Sequence, residues 1–181
     1  APDYSNFLFV IQDSPAVESI HNRNLGAHDA LREEFPDIPE DRIIWLDCGR
    51  SGPEEHLEKF SSVLQAHKDS VDYWLISGGG ASATVPTMTL LKEANIDIRN
   101  NVRMIECYST PDPYLLMLED PDVAKANYGV GLVPYPSGVG MIEILRDLFE
   151  NGTPIPAFTG YELNIIKEDT VEEFYNTYIA D

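Results

Sequence analysis

A chain of 181 residues suits one domain of ordinary size, able to bury roughly 70% of its unfolded surface, and 43% hydrophobic residues are enough for a packed core. Lys and Arg number 12 against 31 Asp and Glu, and the resulting net charge of −19 argues against contact with nucleic acid or anionic lipid. No run approaches the roughly 20 apolar residues of a membrane span, and Cys48 and Cys107 have no partner at a metal-like or disulfide-framework spacing.

The elements alternate along the chain. Phe7 to Ile11 is a short apolar run, and Ala16, Ile20, Ala27, Leu31 and Phe35 then recur at helical spacing, with Asp13 or Ser14 as the expected cap and Pro15 in the first turn. Arg42 to Asp47 reads as a second strand and Pro53 to His67 as a second helix, with Leu57, Phe60 and Leu64 on one face. Asp72 to Ser77 is a third strand that stops at Gly78-Gly79-Gly80, after which a helix is expected from Ala81 to Ala94. Arg103 to Tyr108 is a fourth strand, followed by a helix over Pro113 to Leu118, with Asp112 expected to cap it, and by a strand over Tyr128 to Val133. Helices at Gly140 to Phe149 and Thr170 to Tyr178 enclose a last short strand, Glu162 to Ile166.

Strands alternating with helices imply right-handed crossovers and a mainly parallel sheet between two helical layers, a three-layer αβα architecture of the α/β class. In such sheets ligands bind beyond the carboxyl ends of the strands. The triple glycine therefore marks a face where a small molecule can approach backbone amides. Trp45 and Trp74 lie within strands and are expected in the core, and the four histidines, His21, His28, His56 and His67, are expected on helix surfaces.

The ordered segments HNRNLGAHDAL, VDYWLISGGGASATVPTMTLLKEANI, VRMIECYSTPDPY, ANYGVGLVPYPSGVGMIEILRDLFENGTPIP and YELNIIKEDTVEEF resemble the C-terminal part of type I periplasmic sugar-binding proteins of ABC transporters, those similar to ribose-binding protein. The resemblance covers nearly the whole chain and implies a periplasmic-binding-protein type I-like lobe. It implies that residues 1–136 and 159–181 form a C-terminal-type ligand-binding lobe and that 137–158 carry a crossover helix belonging to a missing N-terminal lobe. Apolar surface on that helix is then expected to be exposed. The start at Ala1 fits a processed protein or a piece of a longer one.

What the resemblance implies for the site is mixed. A cleft arginine three residues before a helix glycine falls on Arg23, ahead of Gly26; a plain surface arginine is the alternative. Where relatives carry an asparagine and an aspartate at the third strand exit, this chain has Gly80 and Ala81, leaving Ser82 and backbone amides as donors. Tyr108 replaces a ligand-binding aspartate, and could stack on a ligand or close the core. Pro134 replaces a glutamine, and Tyr135 beside it is expected to be exposed. With Asp13 at the end of the first strand, these residues make up the candidate ligand-binding set.

Three cleft positions thus change from polar to small, aromatic or cyclic, which makes a less hydroxylated ligand plausible, since each buried unpaired polar group costs about 1 to 3 kcal/mol. The implied ligand is a small molecule, with a sugar favoured, and no cofactor or metal is called for. The implied partners are an ABC transporter permease or a membrane sensor, and the implied place is periplasmic or extracellular, with lipid attachment in a full-length protein. A lac-repressor-like effector domain is the alternative within the same fold. An enzyme acting on a phosphorylated ligand is a further one, but GGGAS is neither a dinucleotide fingerprint nor a P-loop, and no G-x-S-x-G elbow is present.

Overall fold

The computed structural model describes residues 4–50, 52–78, 82–108, 110–131, 134–155 and 164–180, and for 134–138 only the backbone. Six strands form one sheet: β1 (Phe7–Asp13), β2 (Ile43–Asp47), β3 (Tyr73–Ser77), β4 (Val102–Tyr108), β5 (Asn127–Gly131) and β6 (Asn164–Ile166), in the order β2-β1-β3-β4-β5-β6. The first five are parallel and β6 runs antiparallel to β5. The fold is therefore α/β with a mainly parallel sheet.

Among the described residues, eight α-helices connect or follow the strands: α1 (Glu18–Glu34), α2 (Pro53–His67), α3 (Thr84–Glu93), α4 (Ile98–Asn101), α5 (Pro111–Glu119), α6 (Pro121–Ala126), α7 (Pro134–Asn151) and α8 (Val171–Tyr178). The central strand β1 has Leu8, Phe9, Val10 and Ile11 all fully buried, because alternate side chains point into two different layers. Leu8 and Val10 join Phe60 of α2, Met88 of α3, Met104 of β4, Tyr114 of α5 and Phe174 of α8 in the larger core. Phe9 and Ile11 meet Ile38 and Ile43 on the opposite face, under Ala27 and Leu31 of α1. Trp74 is buried as expected, its ring edge-on to Phe60 at 6.1 Å.

Several local expectations change. Neither Asp13 nor Ser14 caps α1, whose N-cap is Val17 without a side-chain bond; Asp13 is engaged by groups on the helix's first turns instead. Thr110 occupies the N-cap of α5, so Asp112 sits in the first turn and acts only through its charge on the helix dipole. The helices α4 and α6 escape a periodicity reading because neither completes two turns; each is announced only by its cap, Asp97 accepting from the Asn100 amide and Asp120 from those of Asp122 and Val123. Helix α7 opens at Pro134 rather than Gly140.

Trp45 is not in the core. It lies on the edge strand β2, 40% exposed, its ring 5.5 Å from that of His28 and 6.4 Å from that of His21. His56 is the reverse case: expected on a surface, it is fully buried in α2. Burial holds its imidazole down at about 4, because the charged form is the one that loses hydration.

Candidate functional site

The carboxyl ends of β1, β3 and β4 and the amino-terminal turns of α1 and α3 gather a polar cluster at one edge of the sheet. Asn24, buried although it lies on a largely polar helix, holds it together: its amide nitrogen donates to the Asp13 carboxylate at 3.0 Å and to the Gln12 carbonyl at 3.2 Å, and its oxygen accepts from the Ser77 hydroxyl at 2.6 Å. The other oxygen of Asp13 lies 2.6 Å from His21 Nδ1, and Gln12 donates to the Thr87 hydroxyl at 2.8 Å. Groups far apart in sequence are thus tied into one network, which fixes the first turns of α1 over the ends of β1 and β3.

Glu106 forms a second buried centre. Its carboxyl accepts from the Ala83 amide at 3.3 Å and from the Thr84 hydroxyl at the start of α3. Burial holds this acid well above the ordinary carboxylate range, against the opposing effects of the bonds donated by Ala83 and Thr84 and of the Arg23 guanidinium. The folded chain therefore keeps a proton that the unfolded chain releases above about 4.5, so this stabilising contribution is complete below that pH and is lost as pH rises toward the folded value. Glu106→Gln is expected to unfold at higher urea concentration than the parent at about pH 8 and at the same concentration near pH 4. Equal midpoints at pH 8 would mean that Arg23 ionises the acid in place.

A hollow of about 190 Å³ opens between these centres, lined by Arg23, Asn24, Ser77, Gly78, Glu106 and Cys107 among others. Arg23 is an exposed residue of its lining, donates from Nε to the Ser19 carbonyl at 3.0 Å, and carries the positive charge that bears on Glu106. A larger hollow of about 480 Å³ lies on the other side of the sheet edge, between the starts of α2, α3 and α5, with Leu57, Ser82, Val85 and Thr110 among its walls. Among the described residues, no group of three or more His, Cys, Asp or Glu is gathered as a metal site would need. Cys48 is buried, and burial together with the Asp47 carboxylate pushes its thiol up to about 12, which removes it as a nucleophile.

The candidate residues divide accordingly. Arg23 and Asp13 come together at this edge, Arg23 at its mouth and Asp13 as the buried anchor of His21 and Asn24. Ser82 lies apart from them, in the wall of the larger hollow. Gly80 and Ala81 lie outside the described residues, as does the side chain of Tyr135. Tyr108 is a correction: it is fully buried, donates to Asn127 Oδ1 at 3.3 Å and packs edge-on to Tyr114 at 5.4 Å, so it closes the core and does not face the edge. Its direction follows from strand alternation, since Val102, Met104, Glu106 and Tyr108 all point to the same face.

Most members of the cluster were not among the candidates, Glu106, His21, Asn24 and Ser77 foremost. A glutamate inside the apolar run Arg103 to Tyr108 was a legible signal for Glu106, because a charge on the buried face of a strand needs partners. His21, Asn24 and Ser77 carried no local signal, since each is ordinary for a helix surface or a strand end.

The smaller hollow lies at the carboxyl edge of a parallel α/β sheet, the place where ligands bind in open sheets of this kind. No protein-family model matches the chain, and no curated protein matches it in sequence. In structure it is similar to a periplasmic ribose ABC transporter protein from Conexibacter woesei DSM 14684, with a TM-score of 0.74 and 13% identity over 94% of this chain and 54% of that one. It is also similar to the periplasmic binding component of the arabinose ABC transporter from Shewanella sp. ANA-3, bound to L-arabinofuranose (TM-score 0.69, 13% identity, 97% of this chain and 55% of that one). A LacI family transcription regulator from Clostridium acetobutylicum is a further neighbour, at a TM-score of 0.66 and 12% identity over 90% of this chain and 56% of that one. The chain has the fold of the type I periplasmic sugar-binding proteins and spans about half the length of these neighbours.

Proposed function

We propose that this chain is the C-terminal-type lobe of a two-lobe solute-binding protein that serves an ABC transporter. It holds a small ligand, a sugar or a less hydroxylated relative, in a cleft between lobes that close by a hinge without covalent chemistry. The observation that carries this reading is the exposed Arg23 lining, with Asn24, Ser77 and Glu106, the hollow at the carboxyl edge of the sheet. The neighbours that share the fold are sugar-binding transport proteins and a regulator, which supports binding over catalysis. Asp13 and Asn24 already satisfy one another, so Arg23 and the second ring nitrogen of His21 are the side chains left here to meet a ligand, with Gly80, Ala81, Ser82 and Tyr135 as further candidates.

In this reading α7 crosses to the second lobe. Its Ile142 is 66% and its Phe149 81% exposed, and no described residue of the helix belongs to either core, which supports a packing partner outside this chain. The lobe would then comprise residues 1–136 and 159–181 and the crossover residues 137–158, within and after a helix α7 that begins at Pro134. A periplasmic or extracellular place, with a lipid anchor on the longer protein, and a permease or membrane sensor as partner follow from the same reading.

The test is calorimetric titration of the longer natural protein with a panel of sugars and other small solutes. Arg23→Ala is expected to weaken the best solute about 10- to 100-fold, the cost of losing charge-assisted hydrogen bonds. No heat of binding with any solute would defeat the assignment; unchanged affinity in the variant would remove Arg23 from the site. The likeness to a LacI family regulator favours one second reading, an effector-binding domain, which a helix-turn-helix upstream of this lobe would support.

A further inference from the structure

We propose that the larger hollow, between the starts of α2, α3 and α5, takes an organic cation with an apolar body, an aryl- or alkylammonium. This chemistry rests on the reading above only in that a solute is held at this edge of the sheet. At about 480 Å³ the hollow falls within the range of small-molecule sites, about 300 to 1,000 Å³. Leu57 of α2 and Val85 and Pro86 of α3 form its apolar wall. Leu57 is 45% and Val85 36% exposed, on helices whose other flanks enter the core through Phe60 and Met88. Apolar surface is thus left uncovered at this point of the chain.

The polar groups of the wall select the charge. They are the carboxylates of Glu54 and Asp112 and the hydroxyls of Ser82, Thr89 and Thr110, of which Thr89 already donates to the Val85 carbonyl at 2.9 Å. Among the described residues no lysine, arginine, histidine or side-chain amide lines the hollow, so neither an anion nor a ring of sugar hydroxyls meets the donors it needs. Glu54 and Asp112 are both exposed, and neither has an ion-pair or side-chain hydrogen-bond partner among the described residues. An ammonium would supply that partner while its body covers Leu57 and Val85.

Both acids also lie in the first turn of a helix, where the macrodipole favours them without any ligand. Each helix end carries only about half a positive charge, so even three fall short of two carboxylates. Nor are those ends open to an anion. The Ala83 amide and Thr84 hydroxyl at the start of α3 already donate to Glu106, and Pro53 and Pro111 open α2 and α5 without an N–H to offer. The hollow is therefore negative on balance and apolar in its wall, and a cation with an apolar body matches it on both counts.

The longer natural protein is titrated calorimetrically with phenethylammonium, phenethyl alcohol and phenylacetate, probes that share one body and differ in charge. Phenethylammonium should bind about 10-fold more tightly than the alcohol at low salt, the gap should shrink as salt is added, and phenylacetate should bind least. Glu54→Gln with Asp112→Asn should bring the ammonium down to the level of the alcohol, and Leu57→Asn should weaken both. Glu33→Gln with Glu34→Gln removes the same charge from the far end of α1 and should change nothing; all four acids are exposed, so these variants keep the fold. Equal affinity for the three probes, no heat with any of them, or ammonium binding that survives the loss of Glu54 and Asp112 would each overturn the proposal, as would an equal loss in the α1 control. A longer protein that binds a sugar but none of the probes would overturn it and leave the transport reading in place. One that binds phenethylammonium in this pattern and no sugar would uphold it.

Discussion

Replacing Gly129 with alanine is expected to destabilise the fold by about 2 to 3 kcal/mol, which lowers the melting temperature of a chain this size by roughly 5 to 10 °C. A Cβ at Gly129 would lie 2.2 Å from Tyr108 Cε2 and 2.6 Å from its Cδ2, well inside any real contact. The ring cannot swing aside. It is fully buried, its hydroxyl donates to Asn127, its face is met edge-on by Tyr114 at 5.4 Å, and Tyr114 in turn stacks on Phe174 at 5.5 Å while donating to the Tyr108 carbonyl at 3.2 Å. Either the strand pair β4–β5 separates or the aromatic cluster shifts, and both lose packing. Gly26→Ala is the control: nothing lies within 4 Å of a Cβ there, and on a helix the change should stabilise by about 1 kcal/mol. Melting curves for the two variants decide the matter; a Gly129→Ala protein as stable as its parent would show that the Tyr108 ring gives way freely.

A second large effect concerns acid. His56 is held neutral, with its folded value at about 4 against 6.5 for an unhindered imidazole. Between those values the unfolded chain binds a proton that the folded chain refuses, so this contribution is complete above about pH 6.5 and is lost as pH falls toward 4, amounting to about 3 kcal/mol at most. Glu106 acts with the opposite sign, losing its contribution as pH rises. Urea unfolding at about pH 7 and pH 4.5 is expected to show a larger drop in stability with His56 present than in His56→Asn, with Glu106→Gln as the common background to remove the opposing contribution, the remaining titratable groups being shared by both proteins. Parallel losses in both proteins would mean that His56 does not carry the acid dependence.

Much of the fold was legible. Apolar runs of about five residues alternating with helical periods pointed to a parallel α/β sheet; β1 is buried on both faces and shows no polar alternation, whereas β3 and β4 are fully buried on one face only. Pro53 at the start of α2 and the glycines after Ser77 punctuated the elements where the structure divides them. Trp45 and His56 were misjudged for one reason: whether a strand is an edge, and which flank of a helix meets the core, depends on strand order, which no local pattern records.

The site was less legible than the sheet. Residue order and hydrophobic period by themselves determined the class of fold and the edge at which its strands end, and only the resemblance to a known family pointed to Arg23. Only the tertiary structure decided that Asp13 serves His21 and Asn24 rather than a helix cap, that Tyr108 turns inward, and that Glu106 is a buried acid at the start of α3. The physical reason is that secondary structure is read from neighbours a few residues apart, whereas a buried polar group is defined by partners such as Asn24 and Ser77, which lie 53 residues apart along the chain and 2.6 Å apart in space.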